Sequence, residues 1–341
     1  MNHTMNNRLW LKFTVGIFLT ISLTATSITA TALNILISND DGLTSNVKAL
    51  YTALKNAGHD VIVSIPCQGQ SGMGAAILFY EPITSLKESC LNNAGRTDDP
   101  GVGPVTKTEH NYDYSDFYYV NGTPIMATAY GLDILAPTRW GKAPNLVLSG
   151  PNQGNNVGTV VVSSGTVSNV QFAASRGIPA IALSAGLSTE GKPNKIGNHT
   201  DNPLSATIAN HAVKLIRELT KKAGKKPILP TGLALNVNFP EEVTSRSSWS
   251  FSRIGSYDEF KAVFTEDLSK DPIAQSYGLK IASYPGISLT FNTEKPSDGQ
   301  QEDEAVVYKN SIAVSAMQIA YDHQPANQLW LRQHLEGLFS Q

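Results

Sequence analysis

Cysteine is almost absent: Cys67 and Cys90 are the only two in 341 residues, too few to define a disulfide scaffold in a chain of this size. Charge of one sign is missing too. A formal net charge of −2 leaves no global basic field for nucleic acid or anionic lipid, so no nucleic-acid polymer is expected as a partner. Neither His-Glu-x-x-His nor a His/Cys zinc spacing occurs. The seven histidines are scattered, and His59 and His211 are expected at helix ends or surfaces. No internal repeat is visible. The apolar stretch Phe13 to Leu23 is too short to span a bilayer comfortably. With Arg8 and Lys12 before it and the small-x-small run Ala30-Thr31-Ala32 after it, residues 1–32 read as a cleaved signal peptide. That predicts an exported protein, periplasmic or secreted, without a stable membrane anchor. No cysteine lies near the cleavage point, which argues against a lipoprotein. Export places Cys67 and Cys90 in an oxidising compartment, where they either pair or remain two buried thiols.

What is present is a globular composition, 41% apolar, with short apolar runs alternating with amphipathic segments. Asn34 to Ser38 reads as a buried strand. Val47, Leu50, Tyr51 and Leu54 follow at helical spacing, Gly58 ends that helix, and Val61 to Ile65 is the next strand. The alternation continues through strand 117–120, helix 124–135 with proline in its first turn, strand 145–149, helix 166–176, strand 180–184, a longer helix through Leu219, and strand 233–238. The predicted class is therefore α/β: a Rossmann-like, mostly parallel sheet with helices on both faces. The main domain is placed at 33–245, with a loop-like insertion at about 91–113. Residues 246–341 read as a hairpin-rich extension: short aromatic and β-branched runs over 249–292, an exposed polar loop over 295–304, two short strands within 306–317 and a terminal helix over 327–339.

In an open parallel sheet, ligands bind beyond the carboxyl ends of the strands, near a topological switch point. The first strand delivers Asn39-Asp40-Asp41-Gly42 to that edge, and the second Gly69-Gln70-Ser71-Gly72. The third and fourth deliver Asn121-Gly122-Thr123-Pro124 and Ser149-Gly150-Pro151-Asn152-Gln153-Gly154. Two adjacent carboxylates where a dinucleotide fold needs glycines would repel a pyrophosphate. Each raises the other's pKa unless a cation neutralises them. Carboxylate, hydroxyl and amide oxygens suit Mg²⁺, Mn²⁺ or Ca²⁺ better than zinc. Ser164-Gly165-Thr166 opens a helix, where hydroxyls and free N–H groups form an anion site.

At these residues the chain resembles the SurE family of survival-protein nucleotidases and phosphatases. The match rests on Asn34 to Gly42 (NILISNDDG), Gln70-Ser71-Gly72, Asn121-Gly122-Thr123-Pro124, Ser149 to Gly154, Ser164-Gly165-Thr166-Val167 and the later strand Leu233 to Pro240 (LALNVNFP). The resemblance implies that Asp40 and Asp41 are metal ligands and catalytic, with Ser71 and Asn152 completing the shell of one Mg²⁺ or Mn²⁺ per subunit. It also implies that Asn39, Gly72, Asn121, Gly122, Thr123, Ser164, Gly165 and Thr166 line a phosphate pocket. A small phosphomonoester or nucleotide substrate follows, and a homodimer or homotetramer that exchanges C-terminal elements. Gln70 stands where many members carry arginine, and Leu43-Thr44-Ser45 where proline and glycine are common. The leader and the insertion resemble the exported, acid-phosphatase-like branch.

The expected chemistry is metal-assisted hydrolysis of a phosphate ester by an activated water, with Asp40 orienting that water. Three rivals are weaker. Cys90 and Arg96 have the C-x5-R spacing of thiolate phosphatases, but acidic residues follow where phosphate would bind. Ser71 lacks the second glycine of a nucleophile elbow. An exported solute-binding protein would need a second α/β lobe, and the second half is hairpin-like.

Overall fold

Runs of β-branched and aliphatic residues between polar turns become strands because only a sheet covered on both faces can bury them. In the computed structural model, residue 1 and residues 32–192, 194, 202–276, 281–319 and 325–339 are described. The leader expected over residues 1–32 falls almost wholly outside these. The chain divides into residues 1–30 and residues 31–341, and the fold is that of the second unit.

In chain order the elements begin with β1 (Asn34–Ser38), α1 (Ser45–Asn56), β2 (Asp60–Pro66), β3 (Val102–Pro104) and β4 (Phe117–Val120). They continue through α2 (Pro124–Tyr130), α3 (Ala136–Trp140), β5 (Leu146–Gln153), α4 (Gly165–Ser175), β6 (Ala180–Ala185), α5 (Pro203–Ala223) and β7 (Leu233–Asn238). The C-terminal part holds β8 (Trp249–Ser252), β9 (Phe260–Thr265), α6 (Pro272–Ser276), β10 (Gly286–Phe291), α7 (Glu304–Val307), β11 (Ile312–Gln318), α8 (Pro325–His334) and α9 (Glu336–Phe339). Among the described residues no helix is long and apolar enough to cross a membrane.

Nine strands form one sheet in the order β3-β4-β2-β1-β5-β6-β7-β11-β8. From β4 to β7 all neighbours are parallel, whereas β3 and β11 run antiparallel to β4 and β7. Successive side chains of a strand point to opposite faces. Ile35 and Ile37 of β1 therefore pack with Val47, Leu50 and Ile208 of α1 and α5, while Leu36 packs with Val167 and Val170 of α4. The chain moves outward from β1 through β2 to β4, then returns to β5 on the other side and proceeds through β6 to β7. The switch point is thus the gap between β1 and β5, the crevice where such sheets bind ligands.

Local chemistry sets the ends. Thr44 caps α1 by accepting the Val47 N–H at 3.3 Å, and Thr123 caps α2 ahead of Pro124. The helix expected to end at Leu135 continues through a wide turn at Gly131–Leu135 into α3, and Pro137 falls at the start of α3. Gly141, with φ of 65°, stops it at Trp140. Beyond Pro240 three expectations need correcting. Residues 306–317 hold one strand, β11, preceded by the short helix α7, not two strands. Asp303 and Glu304, expected at the end of an exposed loop, are fully buried. The terminal helix starts at Pro325 and is interrupted between α8 and α9. β9 and β10 form the expected hairpin. His211 is also inside, in the middle of α5, with Nε2 2.7 Å from the Thr244 carbonyl and its ring against Trp249.

Candidate functional site

Ser38 of β1 and Ser149 of β5 are register partners, so the turns that follow them open side by side at the switch point. In the first turn, Asn39 is fully buried and closes the backbone on itself. Its Nδ2 donates to the Gly42 carbonyl at 2.8 Å and its Oδ1 accepts the Gly42 N–H at 3.2 Å. This is the Asx-type turn that asparagine favours. It leaves the two following carboxylates projecting from a fixed loop. Asn39, expected at the phosphate, has its side chain committed to that turn.

Asp40 is buried and Asp41 half-buried. Asp40 Oδ1 accepts the Thr166 hydroxyl at 2.5 Å, and the backbone N–H groups at the start of α4, those of Gly165 and Thr166, also favour its charge. The approach is close: a Cβ on Gly165 would lie 2.7 Å from Asp40 Cβ, so glycine is required for the helix to reach the carboxylate. Asp41 Oδ2 accepts the Gln153 N–H at 3.0 Å. Both carboxyls are pushed above the ordinary carboxylate range, Asp40 by burial, Asp41 by burial and then by the charge of Asp40. No lysine or arginine pairs with either among the described residues.

Asn152 stands opposite on β5. Its Nδ2 donates to the Gly154 carbonyl at 2.7 Å, which turns its oxygen toward Thr166, 3.2 Å from that hydroxyl. A hydroxyl has one proton, and the shorter contact gives it to Asp40. The Asn152 oxygen is left beside the Thr166 hydroxyl that Asp40 also uses.

The loop after β2 is tied to the same place. The Gln70 N–H donates to the Asp40 carbonyl at 2.7 Å, and the Gly74 N–H to the Ser163 carbonyl at 3.0 Å. Ser71 and Gly72, between these anchors, are exposed. A disulfide joins Cys67, at the root of this loop, to Cys90, which removes the Cys90 thiol that a thiolate mechanism would need. The third turn lies further out. Thr123 Oγ1 donates to the Ala76 carbonyl at 2.6 Å, so the turn buttresses the Ser71 loop, while Asn121 is exposed and Gly122 partly so. Ser164 caps α4 through the Val167 N–H at 3.1 Å. The structure thus gathers Asp40, Asp41, Asn152, Gly165 and Thr166 in one place, with Ser71 on a loop tethered there and Asn121 to Thr123 behind that loop.

Glu190 was not anticipated. It follows β6 at the same sheet edge, accepts the Ser45 N–H and hydroxyl at 2.8 and 2.9 Å, and its charge acts on Asp41. Burial pushes its own carboxyl up. Asking what each strand delivers would have found it had the strand at 180–184 been included. Asn169, fully buried in α4, also carries no local signal: its Nδ2 supports the Asn39 carbonyl at 3.1 Å and Ser149 at 3.2 Å.

The family model for the survival protein SurE matches residues 35–259. An acid phosphatase of Yarrowia lipolytica is 32% identical over 212 residues, covering 60% of this chain and 56% of that protein. A 5'-nucleotidase SurE of Thermosipho melanesiensis is 31% identical over 208 residues, covering 61% of this chain and 65% of that protein. The chain therefore spans less than two thirds of the length of either. The solved structure of the SurE protein from Aquifex aeolicus superposes with a TM-score of 0.59 at 23% identity, over 89% of this chain and 99% of that one, which establishes the shared α/β fold.

Proposed function

The chain belongs to the survival protein SurE family, and from that premise we propose that it is a divalent-cation-dependent phosphomonoesterase built on Asp40, Asp41, Asn152 and Ser71. The observation that carries this reading is the pair of adjacent carboxylates, taken out of water and linked through Thr166 to an amide oxygen, with no side-chain cation in reach among the described residues. Such a donor set is all oxygen and negatively charged, which fits Mg²⁺ or Mn²⁺. A cation held there would supply Lewis acidity toward the phosphoryl oxygens.

The chain's own residues do the positioning. Thr166, with the N–H groups at the start of α4, holds the Asp40 carboxylate, and the Gln153 N–H holds one oxygen of Asp41. Asp40, with Oδ1 held, is the group that orients the attacking water. The start of α4 favours negative charge beside it, and the tethered Ser71 loop with Gly72 lies over that helix start as the rim of the phosphate pocket. Asn121, Gly122 and Thr123 stand behind that loop, which Thr123 buttresses.

Relatives named both acid phosphatase and 5'-nucleotidase support a small phosphomonoester or nucleotide as substrate. The disulfide, together with the leader-like first 32 residues, supports an exported protein working in an oxidising compartment. The hairpin β9–β10 exposes Phe264, Ile287 and Phe291, and α8 exposes Leu329, Trp330 and Leu331. Apolar surface of this kind supports a homodimer or homotetramer assembled through the C-terminal part, to be checked by light scattering.

The deciding experiment is hydrolysis of p-nitrophenyl phosphate and of 5'- and 3'-nucleotides by the purified protein with Mg²⁺ or Mn²⁺, with and without chelator. Turnover that vanishes in chelator and returns with the cation is expected. Undiminished turnover in chelator sinks the metal reading, and saturable binding without product would instead make the chain a solute-binding protein.

A further inference from the structure

Away from the carboxylate pair, a second polar cluster lies wholly inside, where α7 meets β7 and β11. Asn236 and Ser315 are register partners on β7 and β11, and Ser315 is the partner of Ser252 on β8. Glu304, the first residue of α7, is fully buried over them. Its Oε2 accepts Asn236 Nδ2 at 2.9 Å and the Ser315 hydroxyl at 2.8 Å. The other hydrogen of Asn236 Nδ2 goes to the Asn156 carbonyl at 3.0 Å. Both neighbours of that nitrogen are acceptors, so the amide orientation is fixed and its oxygen cannot trade places.

Two atoms are then left over, Glu304 Oε1 and Asn236 Oδ1. Both are buried acceptors without a donor, and two such atoms in one cluster are uncommon in a folded protein. Among the described residues no cation answers a charge on Glu304. Asp303 beside it is itself an acid, and Arg253 is spent on Asp303 at 2.7 Å. Asp258 lies against Gly158 and accepts the Thr159 N–H, Tyr308 at the end of α7 donates to Glu259, and β7, β11 and β8 contribute only amides and hydroxyls here. One proton on Glu304 resolves both orphans: a carboxylic acid and a primary amide joined along one edge by N–H···O can be joined along the other by O–H···O.

The pair reaches the proposed site through Asn156. Its carbonyl accepts from both Asn236 and Asn238 at 3.0 Å, its N–H donates to Asn238 at 3.1 Å, and its Nδ2 donates to Ser184 at 2.9 Å. Asn152 is four residues earlier, turned by its bond to the Gly154 carbonyl. Gly158, which follows, sits so close that a Cβ would lie 2.7 Å from the Tyr257 carbonyl. The turn from β5 is therefore held from below by the C-terminal segment.

We propose that Glu304 is a positioning residue that works as a neutral acid: its Oε1 proton is donated to Asn236 Oδ1, and the acid–amide pair clamps Asn156 and so fixes the turn that presents Asn152. The connection to catalysis rests on the site proposed above; the protonation and the clamp do not. Burial pushes this carboxyl from 4.5 up to about 7. A folded-state pKa raised above the unfolded value means that the neutral pair's contribution is complete below 4.5 and is lost as pH rises through about 7.

The test compares wild type with Glu304→Gln, whose Nε2 can give Asn236 Oδ1 the same hydrogen bond at every pH. Urea midpoints are measured from acid to mildly alkaline pH, with amide hydrogen exchange of the 152–158 segment followed over the same range. The expected result is a wild-type midpoint that falls relative to Glu304→Gln between 4.5 and about 7. At about one pH unit above that range, wild-type exchange in the segment is roughly tenfold faster than in the variant. Parallel midpoints overturn the neutral acid, and equal exchange overturns the clamp. Turnover of p-nitrophenyl phosphate with Mn²⁺ is then compared. Glu304→Gln is expected to match wild type within about twofold in acid and to exceed it in kcat above neutrality. Should neither protein turn over substrate, the phosphatase reading falls while the exchange and urea results still decide Glu304.

Discussion

The crevice at Asp40 and the floor at Glu304 both take carboxyl groups out of water, yet one is open at the sheet edge and the other is sealed between strands and a helix. At the crevice, two acids are adjacent, Asp40 held by Thr166 and the start of α4, Asp41 by the Gln153 N–H, and Asp41 reaches the surface. At the floor, a single acid meets an amide, and nothing reaches solvent. Burial raises the pKa in both places. The difference lies in what can answer the charge: an open pair of acids admits a metal ion, whereas a sealed single acid keeps a proton. On the proposed reading, the same residue type serves chemistry at one place and fastening at the other.

The largest effect that could break this contrast is at the crevice. Asp40→Asn is expected to lower kcat for p-nitrophenyl phosphate on the order of a thousandfold. Its melting temperature without divalent ion should not fall, since repulsion with Asp41 is relieved. A variant that retains turnover would place the chemistry elsewhere. At the floor, Glu304→Ala should cost about 3 kcal/mol in urea unfolding, because it strands Asn236 and Ser315 in a dry site. A cost confined to activity would contradict the sealed reading.

Gly165→Ala tests the boundary between the two. The added Cβ, 2.7 Å from Asp40 Cβ, should destabilise by about 1–2 kcal/mol and weaken Mn²⁺ binding by calorimetry in the same variant. The smallest effect belongs to the exposed pair of Arg176 and Asp133, remote from both clusters in character. Arg176→Ala should change stability by less than about 0.5 kcal/mol and leave turnover alone. If it behaves like Glu304→Ala, burial is not what separates the two clusters.

How much of this could be read from the residues follows the same division. Strands β1, β4 and β7 begin and end where the apolar runs begin and end, because each run is bounded by polar turn residues. The crevice was legible for a related reason: its members sit immediately after those runs, so position along the chain gives position at the edge. The floor was not. Glu304 lies in a polar stretch that resembles a surface loop, and its partners are 68 and 11 residues away in sequence. A buried polar residue is explained by what satisfies it, and that information is nonlocal. Val306 and Val307 misled for the converse reason, since β-branched residues in a four-residue helix look locally like strand. His211 went unread because one bond, to the Thr244 carbonyl, is enough to bring an imidazole inside. Glu190 shows that the rule of strand ends works only when every strand is asked.

The Cys67–Cys90 bond has a consequence for how the molecule can be cut. It closes a ring around the Ser71 loop and the segment beyond it, which carries Phe79 and Tyr80 fully out on the surface. A protease that prefers aromatic residues should nick the chain there. Both fragments would nonetheless migrate as one band until a reductant is added, and only then separate. A single covalent staple thereby makes this exposed loop one whose severance does not take the protein apart.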